Sequence, residues 1–496
     1  MSPSSSRAAR RRTTVREALP LTRIVATLGP ATASLPRMRR LLESGVTIAR
    51  LNFSHGSFEN HAAQLALVRE ASTAIGRTVA VLGDLRGPRI RIAPADREPV
   101  RVSVGDRVRF EARRSRRGIS FELTEPSVLD DLAVGHRILV ADGTIRLRIE
   151  GAQAGRVEAV VEIGGSIRGG KGINLPDTRV SLPVIGPHDE RCIAWAVEHE
   201  LDFLALSFVQ RAEDLKRLRR LLGGSKSKRL FPPRIVAKIE RPEAIERIDA
   251  IVSACDAVMV ARGDLGAEMG LEAVPPLQRR ILAAAHAQGR PAIVATEVLA
   301  SMTTAATPTR AEVGDLSRAV LDEADAVMLS AETAIGRHPP RVVEAAASIL
   351  RRAERWSAES PRVSEPAVLR ARREQALAHA AWQLAVEIGA SMVVVAADET
   401  DLVRHLGQNG FAVPIAAVGL EAAPLRQLLL HRGVVPVTCE GACRLESGGG
   451  LRDAIRSVIT AAPIFGLPIE RAPWLAVGRL ADGGIRPVSR EEVASA

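Results

Sequence analysis

Eight short runs of apolar and β-branched residues, separated by helix-like segments, constrain this chain more than any other feature. They fall at residues 24–28, 47–53, 79–83, 203–208, 235–240, 257–261, 292–295 and 326–330. Strands that are apolar from end to end, instead of alternating with polar residues, are buried on both faces, as in parallel sheets covered by helices. The segments between them, such as 35–42, 212–222 and 277–286, carry apolar residues with a 3.6-residue period. Eight such units predict an α/β chain built on a closed (β/α)8 TIM barrel.

The rhythm breaks once, between the third and fourth runs. Residues from about 93 to 177 read as short β segments with Gly turns, at Gly105, Gly143 and Gly164–Gly165. This predicts a small β-barrel lid domain inserted in the barrel. After residue 350 the pattern becomes a separate unit, with a helix over 367–388 and strands at 392–396, 415–418 and 434–437. The expected organisation is a basic, disordered tail (1–20), a barrel (21–88 and 178–350), the lid (89–177), a linker (351–366) and a C-terminal α/β domain (367–496).

Bulk properties narrow the class. A chain of 496 residues with 46% hydrophobic and 25% charged residues is ordinary for a soluble multidomain protein. No run of 18 or more apolar residues occurs, so no membrane span or membrane partner is expected. The net charge of +11 is local: residues 1–17 hold five Arg against one Glu, and 89–117 hold ten Arg against four acids. Aromatics make up 3% and Tyr is absent, so a stacking platform for single-stranded nucleic acid is missing. Four scattered cysteines, Cys192, Cys255, Cys439 and Cys443, make neither a disulfide framework nor a zinc site, and fit a reducing cytoplasm.

Reactive groups in such barrels sit where strands end and enter the following loops. Polar residues occur there repeatedly: Asn52 and Ser54, Asp84, Ser207, Lys238 and Glu240, Arg262 and Asp264, Thr296 and Glu297, Ser330 and Glu332. Any one alone is an ordinary polar strand end; seven of eight together converge on a site. Lys238 and Glu240, two apart on a strand, point to the same face. With Asp264 arriving from the next strand, two carboxylates suit Mg²⁺, leaving Lys238 to meet phosphoryl oxygens. Arg50 adds a second cation, and the N–H groups of Gly263–Gly266 make an anion pocket. Cations, metal and backbone donors around one opening indicate phosphoryl transfer.

Several segments together resemble the pyruvate kinase family: Ala261–Gly266, Ala237–Glu240, Arg50–Gly56, Gly87–Pro88, Lys171–Pro176, Pro308–Glu312 and Met328–Thr333. They occur in that family's order from about residue 22 to 340. The resemblance implies transfer of phosphoryl from phosphoenolpyruvate to ADP in glycolysis, with Mg²⁺ or Mn²⁺, by a cytoplasmic homotetramer. It implies that Lys238 stabilises the phosphoryl group, that Glu240 and Asp264 hold the metal, and that Arg50 contacts phosphate. Gly263, Asp264 and Thr296 would hold the substrate carboxylate. Asn52, Phe53, Ser54, His55, Arg91 and Lys171 form the nucleotide side. Thr296, Ser330 and Glu332 protonate the enolate through water. A K⁺ position would lie among Asn52, Ser54, Asp84 and Leu85. A related aldolase or lyase would need no Lys171-bearing lid, and an RNA-binding regulator would need neither Lys238 nor Glu240.

Departures from the family's pattern add expectations. Leu85, Arg86 and Arg89 stand where Thr, Lys and Glu are commoner, and Glu297 where Gln is commoner. Arg89 would place a fixed positive charge beside the K⁺ position and make K⁺ unnecessary. Acidic residues Asp398, Glu399 and Asp401 stand where activated members bind a sugar bisphosphate, so that ligand is expected not to bind. Residues 440–496 match the family weakly.

Overall fold

A computed structural model describes residues 18–94, 99–113, 118–141, 143–224, 231–359, 373–439, 445, 448–471, 473–480 and 483–496. The basic tail lies outside the described residues apart from its last three positions. Eight parallel strands close a barrel in chain order: β1 (Arg23–Thr27), β2 (Ile48–Asn52), β3 (Ala80–Asp84), β4 (Phe203–Leu206), β5 (Arg234–Ile239), β6 (Ala257–Ala261), β7 (Ala292–Ala295) and β8 (Ala326–Leu329). Each overlaps one of the eight expected runs. Nearly every residue in them is buried, because the barrel interior covers one face and the helices the other. Val25, Ile48, Leu82, Val236, Met259 and Ile293 fill the interior. Ile24, Leu51, Val81, Leu204 and Ile235 pack outward against the helices.

The insert is a six-stranded sheet with a two-stranded ribbon beside it, around its own core, which includes Val108, Phe110, Phe121 and Leu147. The C-terminal domain is a five-stranded sheet. It includes the expected strands Met392–Ala396, Ile415–Gly419 and Val434–Thr438, and also Trp474–Leu480 and Gly483–Val488, which carry no clear periodic signal in the sequence. The stretch expected as a linker begins inside a helix. Pro339–Glu359 covers its first nine positions, since Val342, Ala346, Leu350 and Ala353 keep one face buried, and the rest of the expected linker lies outside the described residues. Cys192 and Cys255 are free and buried, whereas Cys439 is disulfide-bonded, unlike the thiol expected there.

Two domains meet at the barrel floor, where the strands begin. Leu429 and Leu430 from the C-terminal domain enter the interior cluster of the barrel. Arg23 donates hydrogen bonds to the carbonyl oxygens of Pro20, His431 and Val434. No helix among the described residues is long and apolar enough to cross a membrane.

Candidate active site

Lys238 occupies the penultimate position of β5 and is 7% exposed. Its Nζ lies 2.9 Å from Glu240 Oε1 and 3.4 Å from Asp84 Oδ1, and donates to Ser207 Oγ at 2.7 Å. Burial alone would lower the Lys238 pKa, but Asp84, Glu240 and Asp264 outweigh it and hold it above the usual value. Across the opening, Arg50 grips Asp84 through Nε at 2.8 Å and Nη2 at 2.7 Å, and reaches Thr27 Oγ1 at 2.9 Å through Nη1. Burial pushes the Asp84 carboxyl up, and Lys238 and Arg50 more than reverse that. The result is a buried cluster with two cations around Asp84. Ser207 and Thr27 orient those cations; the sequence reading lists Ser207 as a strand-end group without a role and misses Thr27.

Glu240 is fully buried, and burial together with Asp264 raises its pKa against the pull of Lys238. Its Oε2 accepts from the Phe208 N–H at 2.7 Å. Its Oε1 makes no hydrogen bond despite its closeness to Lys238. A buried carboxylate held by the Lys238 ion pair and one backbone N–H, near a partly exposed Asp264, fits a hard divalent cation, which takes one or two protein carboxylates and completes its shell with water and phosphate. Among the described residues no group of three or more His, Cys, Asp or Glu gathers to bind a metal.

The Arg262–Met269 helix begins directly at the end of β6. Gly263 N donates to Thr296 Oγ1 at 2.8 Å, and Arg262 reaches the Thr296 carbonyl at 2.8 Å and Asp315 at 2.7 Å. Thr296 and Glu297 both have positive φ, 68° and 53°, and Phe208 beside Glu240 has 57°. Left-handed backbone at non-glycine residues is costly, and three of the six such residues among those described stand at the strand tops. Gly87 also has positive φ, and a Cβ there would meet Phe208 Cδ2 at 2.9 Å; only glycine fits this turn beside the strained Phe208.

Other expected residues are placed less simply. Asn52 accepts from the Ser54 N–H at 3.1 Å, making a tight loop at the end of β2. The Phe53 ring turns into the core, edge-on to His61 and Trp195 at 5.1 and 5.7 Å. His55 is exposed, and partial burial with Arg91, Arg89 and Arg50 lowers its pKa. Arg91 donates to the Gly170 carbonyl at 2.6 Å, and Lys171 beside it is exposed. Both Glu332 oxygens accept backbone N–H groups, from Leu299 and Ser330. Leu85 is buried and its carbonyl accepts from Ser207 Oγ at 2.7 Å. Arg89 pairs with Asp264 at 3.9 Å, across the opening from the Asp84 carboxylate it was expected to stand beside. The Pro308–Glu312 motif is a capping box: Thr309 Oγ1 accepts the Glu312 N–H, and Glu312 accepts the Thr309 N–H at 2.8 Å.

A barrel whose open end gathers buried cations and carboxylates belongs to a class of enzymes that handle phosphorylated anions. Comparison with known proteins narrows the class. Residues 19–343 match the family model for the pyruvate kinase barrel domain. The pyruvate kinase of Mycobacterium intracellulare is 36% identical over 449 residues, covering 88% of this chain and 91% of that one. The pyruvate kinase of Thermococcus litoralis is 40% identical over 339 residues, covering 68% and 70%. A crystal structure of a pyruvate kinase from Cryptosporidium parvum superimposes with TM-score 0.84 at 27% identity, covering 95% and 96%. This chain belongs to the pyruvate kinase family and is a phosphotransferase.

Proposed function

We propose that this enzyme transfers the phosphoryl group of phosphoenolpyruvate to ADP, giving pyruvate and ATP, as a cytoplasmic homotetramer in glycolysis. The observation that carries the reading is the buried Lys238, charged and held between Asp84 and Glu240 where strands β3 and β5 end. Lys238 and Arg50 meet the oxygens of the phosphoryl group in transit and stabilise charge that develops there. The N–H groups of the Gly263–Asp264 turn and the Thr296 hydroxyl orient the substrate carboxylate. Mg²⁺ or Mn²⁺, held by Glu240 and Asp264, would neutralise phosphoryl charge and fix the reacting oxygens. A β-phosphate oxygen of ADP bonds to phosphorus as the P–O bond to the enol oxygen breaks, leaving the enolate of pyruvate, whose C3 takes a proton through water held by Thr296 and Ser330. Glu332, tied to two N–H groups, keeps the Ser330 turn in place for that step. Asn52, Ser54, His55, Arg91 and Lys171, with the backbone of Phe53, form the nucleotide side.

K⁺ is not required in this reading. The Asp84 carboxylate that would face such an ion already carries Arg50 and Lys238, and Leu85 offers no side-chain oxygen. Arg89 adds a permanent charge at the same rim, though toward Asp264. A lactate dehydrogenase-coupled assay with phosphoenolpyruvate, ADP and Mg²⁺ tests the reaction; absence of turnover would sink it. Near-full rates in K⁺-free tetramethylammonium buffer are expected, with a K⁺ requirement appearing in Arg89→Glu. Strong activation of the natural enzyme by K⁺ would defeat that part alone.

A further inference from the structure

The lid leaves the barrel after β3 and returns before β4, and the returning stretch is held from both sides. Within the lid, Asn174 lies in register with Leu139 of the neighbouring strand. Arg137 grips Asp177 through Nε at 2.8 Å and Nη2 at 2.7 Å, and Thr178 Oγ1 lies 2.9 Å from His136 Nδ1. On the barrel side the same stretch meets two residues. Asn174 Nδ2 donates to Glu268 Oε1 at 3.0 Å, and Arg241 Nη2 donates to the Thr178 carbonyl at 2.9 Å. Arg241 Nη1 lies 3.7 Å from Glu268 Oε1, and its Nε donates to Glu243 at 3.2 Å. The two fastenings therefore form one unit.

Its place in the chain ties it to the site. Glu268 follows Asp264 by about one turn of the Arg262–Met269 helix, and Arg241 follows Glu240 directly. Asn174 follows Lys171 by three residues in the lid. One buried unit thus joins the lid lysine to both elements that carry the carboxylates. Asn174, Arg241 and Glu268 also line a cavity of about 50 Å³ together with Arg89 and Asp264, at the seam between lid and site. Stability alone does not account for the unit. Glu268 Oε2 is buried without a hydrogen-bond partner, which costs free energy, and apolar side chains of the same volume would hold the stem as firmly. Hydrogen bonds add direction: they fix where the stem stands.

Taking the reaction as proposed above, we propose that Asn174, Glu268 and Arg241 are positioning residues that set Lys171 relative to Glu240 and Asp264. They act through Lys171, and even a small misplacement of a group that holds a reactant is costly. The bond from Gly263 N to Thr296 Oγ1, on the side that orients the substrate carboxylate, lies wholly within the barrel. Loosening the stem therefore falls on the nucleotide and spares phosphoenolpyruvate.

The test combines steady-state kinetics of the full-length enzyme with hydrogen exchange followed by mass spectrometry. Asn174→Ala should lower kcat/KM for ADP about tenfold, as for a lost hydrogen bond to a charged group. KM for phosphoenolpyruvate should stay within about twofold, as for sites that share no partner. Amide exchange over residues 171–178 should quicken about tenfold, for the same lost bond. Asn174→Asp sets two carboxylates face to face and should lose more activity than Asn174→Ala. Adding Glu268→Gln to it reverses donor and acceptor, and should return kcat/KM for ADP to within about twofold of the natural value. If Asn174→Asp fails to fold, Asn174→Ala and the double variant decide. Equal losses for ADP and phosphoenolpyruvate in Asn174→Ala, or a double variant no better than Asn174→Ala, would reduce the unit to a structural bond and overturn the proposal. Unchanged exchange in Asn174→Ala would overturn it at any level of turnover. A natural enzyme without turnover, in which Asn174→Ala still quickens exchange, would refute the reaction and keep the fastening of the stem.

Discussion

The two ends of the barrel strands bury positive charge in different ways. At the top, Lys238 is surrounded by side-chain partners: two carboxylates within 3.4 Å and a hydroxyl. At the floor, Arg23 is 2% exposed and donates to three backbone carbonyls. Burial lowers its pKa to about 10, with Glu354 opposing the shift, so it remains charged at neutral pH. Carboxylates and hydroxyls on side chains can exchange one partner for a phosphate or a metal. Carbonyls belong to the chain path and cannot be released without moving the domain. The upper cation is therefore available to a substrate, while the lower one fastens the C-terminal domain to the barrel.

That contrast can be broken first at the top. Lys238→Met should lower kcat by ~10²–10⁴, about 3–5 kcal/mol of transition-state stabilisation. Proton exchange at the methyl group of pyruvate, which needs metal but no transfer, should survive better. Steady-state kinetics beside deuterium exchange followed by NMR separates the two, and equal loss of both refutes the assignment. At the floor the expected result is the reverse. Leu430→Ala removes a fully buried plug and should cost about 2–5 kcal/mol in urea unfolding. Its kcat at low temperature should stay within a few-fold of the natural value; a Lys238-sized loss of turnover would erase the distinction.

The smallest effect is in pH dependence. His431 has a folded pKa of about 3, against 6.5 when exposed. Between those values the unfolded chain binds more protons, so stability is complete above 6.5 and falls as the pH drops toward 3. Asp84, held below 3.8 at the top, loses its contribution only as the pH falls through that lower folded value. His286, raised above 6.5 by Asp325 despite burial, acts in the other window: its contribution is full below 6.5 and disappears as the pH rises through its folded value. Denaturation from pH 7 to 5 should show a slope of up to ~1.4 kcal/mol per unit that His431→Leu removes. An unchanged slope would move the acid sensitivity away from the floor.

Much of the site was legible because barrel strands announce themselves locally. The eight apolar runs placed Lys238, Glu240, Asp84 and Thr296 at strand ends before any contact was known, and spacing by two put Lys238 and Glu240 on one face. Alternation was weaker guidance in the irregular segment after β3. Arg89 and Arg91, which strand alternation would put on one face, divide between Asp264 and the Gly170 carbonyl, because the turn at Gly87 and an isolated bridge between Arg91 and Gly172 replace a regular strand. Phe53 looked like part of the nucleotide side, yet packing against His61 and Trp195 turns its ring inward. The last two C-terminal strands escaped notice because ladder pairing with strands distant in the chain, rather than periodicity, defines them.

The sequence by itself determined the strands, their order and which polar residues stand at their ends, since hydrophobic period and residue type act over a few positions. Only the tertiary structure decided which of those groups touch. Closure of the barrel brings Arg50 to Asp84, Asp84 to Lys238 and Gly263 to Thr296 across 33 to 154 positions of chain. Such contacts depend on the relative placement of packed elements, which no local pattern encodes.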